Sequence, residues 1–219
     1  MKNDIKLQNL LFIYEKEISK NVKNKKKLYD FEINKMQYLE NIMNMLNNGS
    51  VGHNRYNIFL IYEPKCRLVM SLSVRDKVIN HFVTRYTLEK KLTKYLDDRN
   101  VATRKGMGTD YAIKLVIKYI EAELTSKYED KDIKTIFKFY VLKLDISKYF
   151  YSIDHDVLKS LMVDKLDTYE FDIISKIIDS TNKTYINETI NRLKLKNNAD
   201  VPLYEYGKGL PIGNMTSQF

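Results

Sequence analysis

The sequence predicts an α+β protein in which helices predominate. Only seven glycines and three prolines occur among 219 residues, so long loops are expected to be few. Apolar residues recur at helical spacing along much of the chain, whereas β-rich runs are confined to residues 56–62, 66–74 and 136–144. With 44% hydrophobic and 30% charged residues, the composition excludes a largely disordered chain.

The charge balance favours a polyanionic partner. Lys and Arg number 37 against 28 Asp and Glu, a net charge of +9, as is typical of nucleic-acid-binding proteins. Heavy use of Lys, Asn, Ile and Tyr would also follow from AT-rich coding, which leaves this interpretation open. A single cysteine, Cys66, excludes a disulfide framework. Without a signal peptide or a run of about 18 apolar residues, a cytoplasmic protein without membrane contact is expected.

The first fifty residues predict a helical extension. Residues 4–19 have helical periodicity, and the lysines of residues 20–27 follow as a basic linker. Asp30 is a plausible N-cap for a second helix, which Asn48-Gly49 would end.

The residues that follow this extension predict a hairpin and two helices. Two β-rich runs flank Glu63-Pro64-Lys65, and a helix is expected from Asp76 to about Leu92. A basic loop then leads to Thr109, a good N-cap for another helix. Free N–H groups at a helix start, with Arg104 and Lys105 just before it, suit a phosphate group.

The run at residues 136–144 is the most strand-like in the chain, and Asp145 follows directly. A carboxylate at a strand end can hold Mg²⁺, although such a residue is often just part of a turn. Asp154 can cap a helix over residues 157–162, and another helix is expected at 169–179.

Residues 207–218 read Gly-Lys-Gly-Leu-Pro-Ile-Gly-Asn-Met-Thr-Ser-Gln. Three glycines within seven residues permit close approach of the backbone to a ligand, although a tight turn would use them equally well.

Three motifs in this order resemble those of bacterial reverse transcriptases: Arg-Lys-Gly-Met-Gly-Thr at 104–109, the Asp145 segment and residues 207–218. Asp145 is followed five residues later by the aromatic Phe150, as in the family's first catalytic motif. The form Pro-Ile-Gly-Asn-x-Thr-Ser-Gln is similar to that of diversity-generating retroelement enzymes and of some phage-defence enzymes. Group II intron and retron enzymes usually carry Gln at the position of Ile212.

The resemblance implies RNA-directed DNA polymerisation with two Mg²⁺ ions, Mn²⁺ being the alternative. Asp145 would bind both ions and the backbone carbonyl of Ile146 one of them. Phe150 would lie under the incoming sugar and exclude a 2′-hydroxyl, which selects deoxynucleotides. Lys65 and Arg67 would hold the triphosphate, and the planar guanidinium can pair two oxygens at once.

The remaining motif residues would contact the nucleotide or the nucleic acid. The partners implied are an RNA template, a DNA or RNA primer and dNTPs, with a small basic helical accessory protein in diversity-generating systems. Gly209, Pro211, Ile212 and Gly213 would line the dNTP site, and Arg104, Lys105, Ser217 and Gln218 would contact the template.

The implied fold is a polymerase right hand, with fingers and a truncated palm preceded by N-terminal helices. Residues 1–50 would form the extension, 51–104 and 156–212 the fingers, and 105–155 and 213–219 the palm. The family's Tyr-x-Asp-Asp hairpin follows the Ser-Gln motif, and Phe219 comes before it, so we expect the N-terminal part of a longer enzyme, inactive alone. Tyr-Leu-Asp-Asp at 95–98 stands too early and is interpreted as a coincidence at a helix end.

Two alternatives stay open. The parent enzyme could belong to phage defence rather than to a diversity-generating retroelement, or the chain could be a non-enzymatic nucleic-acid-binding fragment. Mg²⁺-dependent nucleotide binding that requires Asp145 would distinguish an enzyme from a binding module.

Overall fold

A computed structural model of the chain describes residues 1–53, 55–102, 104, 106–127 and 141–212. The described residues divide into two compact units. The first contains Met1–Lys94 and the described residues from Lys148 to Ile212, and the second contains those of Tyr95–Ser147. Many helices and a two-stranded sheet make up the described chain, so the predicted α+β class is confirmed.

The N-terminal part contains three α-helices where the sequence analysis predicted two. The Asn24 side chain accepts a hydrogen bond from the backbone N–H of Lys27 at 3.1 Å, so the lysines predicted to form a linker begin a helix instead. The predicted cap Asp30 lies within that helix, which ends at Ile33. The helices are α1 (Leu7–Ile13, continued to Asn21 by a π-helical and a 3₁₀ turn), α2 (Lys25–Ile33) and α3 (Lys35–Asn47).

The predicted hairpin is confirmed. Strand β1 (Asn57–Ile61) pairs antiparallel with β2 (Arg67–Ser71), and Phe59 stands opposite Val69. Leu68 and Met70 of β2 are buried, because alternate residues of a strand share one face. The hairpin therefore has one face toward the protein and one toward solvent.

Helix α4 (Val74–Val83) begins two residues before the predicted start. Its N-cap is Ser73, whose hydroxyl accepts a hydrogen bond from the N–H of Asp76 at 3.1 Å. The helical path continues through a π-helical turn into α5 (Glu89–Leu92). The predicted helix as far as Leu92 is thus present, with a locally wider turn in its middle.

The second unit contains the predicted helix, α6 (Thr109–Lys127), in which Thr109 is the first helical residue and not the N-cap that was predicted. Residues 136–140 lie outside the described part of the chain. The predicted strand is wrong over residues 141–144, which have no regular structure. Val141 and Leu142 are 82% and 80% exposed, and no described strand pairs with them. A β-rich composition forms a strand only where a neighbour accepts its backbone hydrogen bonds.

Four further helices follow in the first unit. Asp154 caps α8 as predicted, with Oδ1 accepting from two backbone N–H groups, and Asp167 caps α9 in a capping box with Glu170. The sequence analysis missed α10, although Ile186 and Ile190 stand one helical turn apart. The helices are α7 (Tyr149–Ser152), α8 (His155–Met162), α9 (Thr168–Ile178, followed by the 3₁₀ turn Asp179–Thr181) and α10 (Thr184–Asn197).

Two apolar clusters hold the first unit together. The larger joins α1, α3 and α4 to α8 and α9, with fully buried side chains that include Leu10, Ile42 and Ile173. The smaller packs the buried hairpin face against α10 through Met70 and Ile190. Burial of apolar surface at about 25 cal/mol per Å² makes these contacts the main stabilising term of the unit.

None of the helices in the described ranges is long and apolar enough to cross a lipid bilayer.

Candidate functional site

The first unit contains three of the segments that the sequence analysis assigned to nucleotide binding. They are the hairpin with Lys65 and Arg67, the aromatic Phe150, and residues 207–212, here called the glycine segment. The second unit contains Asp145, Ile146 and Arg104. The assigned residues Lys105, Gly213, Ser217 and Gln218 lie outside the described part of the chain.

Phe150 and the glycine segment are joined by backbone hydrogen bonds. The N–H of Leu210 donates to the carbonyl of Phe150 at 2.7 Å, and the N–H of Gly209 donates to the carbonyl of Ile153 at 2.7 Å. Two motifs far apart in sequence are therefore held in fixed register.

Gly209 occupies a position that no other residue fits without strain. Its φ is +85°, and a Cβ atom there would lie 2.7 Å from the ring of Tyr204 and 3.2 Å from the carbonyl oxygen of Phe150. Side chains are disfavoured at positive φ, and contacts below 3 Å force neighbours to move. The glycine therefore permits the close approach of the segment to Phe150.

A buried histidine and a threonine hold the carbonyl of Gly209. His155 Nε2 donates to this oxygen at 2.9 Å, and the Thr181 hydroxyl donates to it at 2.9 Å. The Asn182 side chain accepts from the N–H of Gly207 at 2.8 Å. His155 is the first residue of α8, and no local sequence signal indicates these contacts because they join distant segments.

The end of the glycine segment lines a cavity of about 300 Å³. Pro211 and Ile212 form one wall, and Met70 and Ser71 of β2 form another. The π-helical turn after α1 contributes Glu17. The predicted nucleotide-binding segment and the hairpin strand thus share one concave surface.

Lys77 gives this cavity a positive charge. Burial, with a smaller effect of the nearby Lys27 ammonium, lowers the pKa of Lys77. No described side chain forms an ion pair with its ammonium. The Glu17 carboxylate, by contrast, is bound by Arg85 at 2.6 Å and His81 at 2.9 Å. The free charge on the cavity wall is therefore cationic.

A buried network of hydrogen bonds supports the part of the cavity wall that Tyr56 forms. The Tyr56 hydroxyl lies 3.0 Å from His53 Nδ1 and 2.7 Å from the Ser180 hydroxyl, and His53 Nε2 lies 2.7 Å from Asn80 Oδ1. Burial lowers the pKa of His53. In the neutral ring, Nε2 donates to Asn80 and Nδ1 accepts from Tyr56, so every member has a partner.

The predicted triphosphate ligands Lys65 and Arg67 are both exposed at the turn end of the hairpin, Lys65 in the connecting turn and Arg67 at the start of β2. Among the described residues neither side chain has an ion-pair partner, so both remain available to an anion.

The Asp145 side chain is exposed, and its backbone has no regular structure. Within the described ranges, no three His, Cys, Asp or Glu side chains stand close enough together to hold a metal ion. The binding of Mg²⁺ or Mn²⁺ by Asp145 therefore stays a prediction from the motif.

Arg104 and the acidic pair at residues 97–98 are separate features of the second unit. The Arg104 guanidinium donates to the carbonyls of Asp97 and Asn100 at 3.1 and 3.2 Å, so one of its nitrogens stabilises a turn. The Arg99 guanidinium lies 2.6 Å from the carboxylate of Asp97 and lowers its pKa. The acidic pair follows a 3₁₀ turn that ends at Tyr95, as predicted for a helix end.

Comparison with protein-family models gives no match, and no curated protein matches the sequence significantly.

Proposed function

We propose that this chain contains the fingers and the first catalytic motif of an RNA-directed DNA polymerase. The observation that carries the proposal is the backbone pairing of Phe150 with the glycine segment. In the assignment from sequence, Phe150 lies under the sugar of the incoming nucleotide, and the glycine segment lines the base pair that this nucleotide forms. An enzyme that selects deoxynucleotides needs these two surfaces at a fixed separation.

The cavity adds a second line of support. A concave site of about 300 Å³ with apolar walls and a few polar groups is typical of small-molecule pockets. Its wall shares Pro211 and Ile212 with the assigned dNTP site, and Lys65 and Arg67 lie on the hairpin that forms another wall. Cations on the hairpin and an apolar surface beside it suit a nucleoside triphosphate.

The partners in this proposal are an RNA template, a DNA or RNA primer, dNTPs and Mg²⁺. Asp145 would supply one carboxylate to the metal ions, which in nucleotidyl transfer activate the primer hydroxyl and stabilise the leaving pyrophosphate. The chain's own contribution is to position: Lys65 and Arg67 hold the phosphates, and Phe150 excludes a 2′-hydroxyl.

The test is equilibrium binding of labelled dATP and ATP to the 219-residue chain, with and without Mg²⁺. Lys65→Ala and Arg67→Ala are each expected to weaken dATP binding about tenfold, because each removes a charge-assisted hydrogen bond. Lys6→Ala, an exposed lysine before α1, is the matched control. Phe150→Ala is expected to strengthen ATP binding relative to dATP.

Asp145→Asn separates an enzyme from a binding module. In the polymerase proposal it removes the Mg²⁺-dependent part of dATP affinity and leaves the remainder, and Asp200→Asn, an exposed loop residue, has no effect. If Asp145→Asn changes nothing while Lys65 and Arg67 still matter, the chain is better described as a non-enzymatic nucleic-acid-binding module. Equal affinity for dATP in all variants contradicts the proposed nucleotide site.

A further inference from the structure

His155 is a buried polar residue that the proposed function does not yet use. It is the first residue of α8 and is 1% exposed. Histidine is seldom buried without a partner for each ring nitrogen, because an unsatisfied polar group costs about 1–3 kcal/mol.

Both ring nitrogens of His155 face acceptors. Nδ1 lies 3.0 Å from Oδ1 of Asp179, and Nε2 lies 2.9 Å from the carbonyl oxygen of Gly209. Neither a carboxylate nor a carbonyl can donate, so each nitrogen satisfies its contact only by carrying a proton. The Thr181 hydroxyl also lies 3.4 Å from Nε2, but its single proton is directed to Gly209 at 2.9 Å.

The Lys159 ammonium holds the Asp179 carboxylate in place beside the ring. The Asp179 carboxylate accepts from Nδ1 on one side and from the Lys159 ammonium, at 2.6 and 2.7 Å, on the other. The Lys159 ammonium also lies 3.9 Å from Asp156, and the backbone of Asp154 pairs with that of Lys208 in an isolated β-bridge.

The contacts of His155 join three segments of the first unit. Its backbone N–H donates to the carbonyl of Gly207 at 2.9 Å, and its ring holds the carbonyl of Gly209. Through Asp179 the same ring is anchored to the 3₁₀ turn after α9. Gly209 is in turn the residue that brings the glycine segment against Phe150.

We propose that His155 is a positioning residue: by donating from both ring nitrogens, to Asp179 and to Gly209, it fixes the glycine segment against Phe150. Its value for nucleotide selection rests on the proposed function, whereas the fixing of the segment does not. Without the ring, Thr181 and Asn182 still bind the glycine segment, but one of the two side-chain donors to the Gly209 carbonyl and the link to the Asp179 carboxylate are lost.

The first measurement needs no variant. The chain has three histidines, so ¹⁵N-histidine labelling gives three pairs of ring nitrogen signals, and loss of one pair in His155→Gln assigns it. From the two contacts of the ring we expect two slowly exchanging ring N–H protons for His155. A ring with a single N–H overturns the two-donor arrangement.

The second measurement is hydrogen exchange of the Gly209 and Leu210 amides. Both are expected to be protected in the wild-type chain and to exchange about tenfold faster or more in His155→Gln, because the two N–H donors of a glutamine amide share one nitrogen and cannot replace both ring nitrogens. Ile42→Val in α3, a core substitution outside the segment, controls for general loss of stability. Acceleration by the control equal to that in His155→Gln overturns the proposal.

A third variant and a third readout keep the outcomes separate. If His155→Gln fails to fold, Thr181→Val replaces it, because this variant removes the other donor to the Gly209 carbonyl. Exchange of the Leu210 amide is then expected to accelerate by less than tenfold, while the ring N–H signals of His155 persist. Disappearance of those ring signals overturns the assigned contacts.

In nucleotide binding, His155→Gln is expected to lower the preference for dATP over ATP about tenfold, since small misplacements at a reacting site are costly. A wild-type chain that binds no nucleotide refutes the proposed function, and the exchange data still judge the positioning of the segment.

Discussion

Replacing Gly209 by alanine tests the packing on which the proposed site depends. The added Cβ would lie 2.7 Å from Cδ1 and 2.8 Å from Cε1 of the Tyr204 ring. That ring cannot move easily: it is buried, it packs on Tyr151 with centroids 4.9 Å apart, and the Asn187 side chain binds the Tyr204 backbone N–H and carbonyl. The overlap must therefore be relieved by moving the glycine segment or the ring.

Two effects determine how far Gly209→Ala lowers the free energy of unfolding. An alanine at φ +85° costs about 1–2 kcal/mol in backbone strain. Overpacking against a fixed aromatic ring adds about 1–3 kcal/mol. We expect Gly209→Ala to lower the free energy of unfolding by about 2–5 kcal/mol, a large share of a typical domain's stability.

Gly207→Ala is the matched control. Its φ is +74°, but no atom lies within 4 Å of a Cβ there, so only the backbone cost of about 1–2 kcal/mol applies. The chain lacks tryptophan, so urea unfolding is followed by far-ultraviolet circular dichroism, with the m-value checked for two-state behaviour. If Gly209→Ala loses no more stability than Gly207→Ala, the steric argument is refuted.

Three further predictions concern buried polar groups. Tyr56→Phe is expected to cost about 1–3 kcal/mol in urea unfolding because it breaks the buried network of hydrogen bonds, and exposed Tyr62→Phe to cost nothing; equal losses would contradict the network. In the folded state the pKa of His53 is lowered from 6.5. Below pH 6.5 the unfolded chain therefore binds more protons at this residue than the folded chain, and stability decreases as the pH is lowered. This acid sensitivity is to be measured by urea unfolding between pH 7.5 and 5, and a His53→Gln variant with the same slope would exclude His53 as its source. Lys77→Met is expected to keep stability or raise it by about 1 kcal/mol, because the half-buried ammonium has no described ion-pair partner. Lys159→Met is expected to lose stability, because the Lys159 ammonium binds Asp179. Both variants are compared by thermal unfolding, and a larger loss for Lys77→Met than for Lys159→Met would show an ion pair at Lys77.

Local features of the fold were predictable from sequence because their physics is local. Asp154 caps a helix with its own side chain, and the β-rich runs on both sides of Glu63-Pro64-Lys65 form a hairpin whose pairing spans few residues. Apolar residues one turn apart define the buried face of α9. Each of these depends on neighbours within a few positions.

Some local predictions were wrong because sequence signals competed. Asn24 and Asp30 are both good caps, and the helix begins after Asn24, the earlier of the two. This start lets Asn24 accept the hydrogen bond from Lys27, and Phe31 in the same helix is buried at 5% exposure. Residues 141–144 have a β-rich composition without a described strand beside them. Composition gives a preference, and only the presence of a pairing partner makes a strand.

The sequence by itself determined the helix-rich α+β class and the hairpin, and it is the source of the proposal that particular segments bind a nucleotide. Only the tertiary structure decided that His155 and Gly209 meet, that a Cβ at position 209 would strike Tyr204, and that Pro211 lines a cavity with β2. These contacts join residues far apart in the chain. Periodicity and capping report which residues are buried or which end a helix, but the partner of a buried polar group is set by how the helices pack.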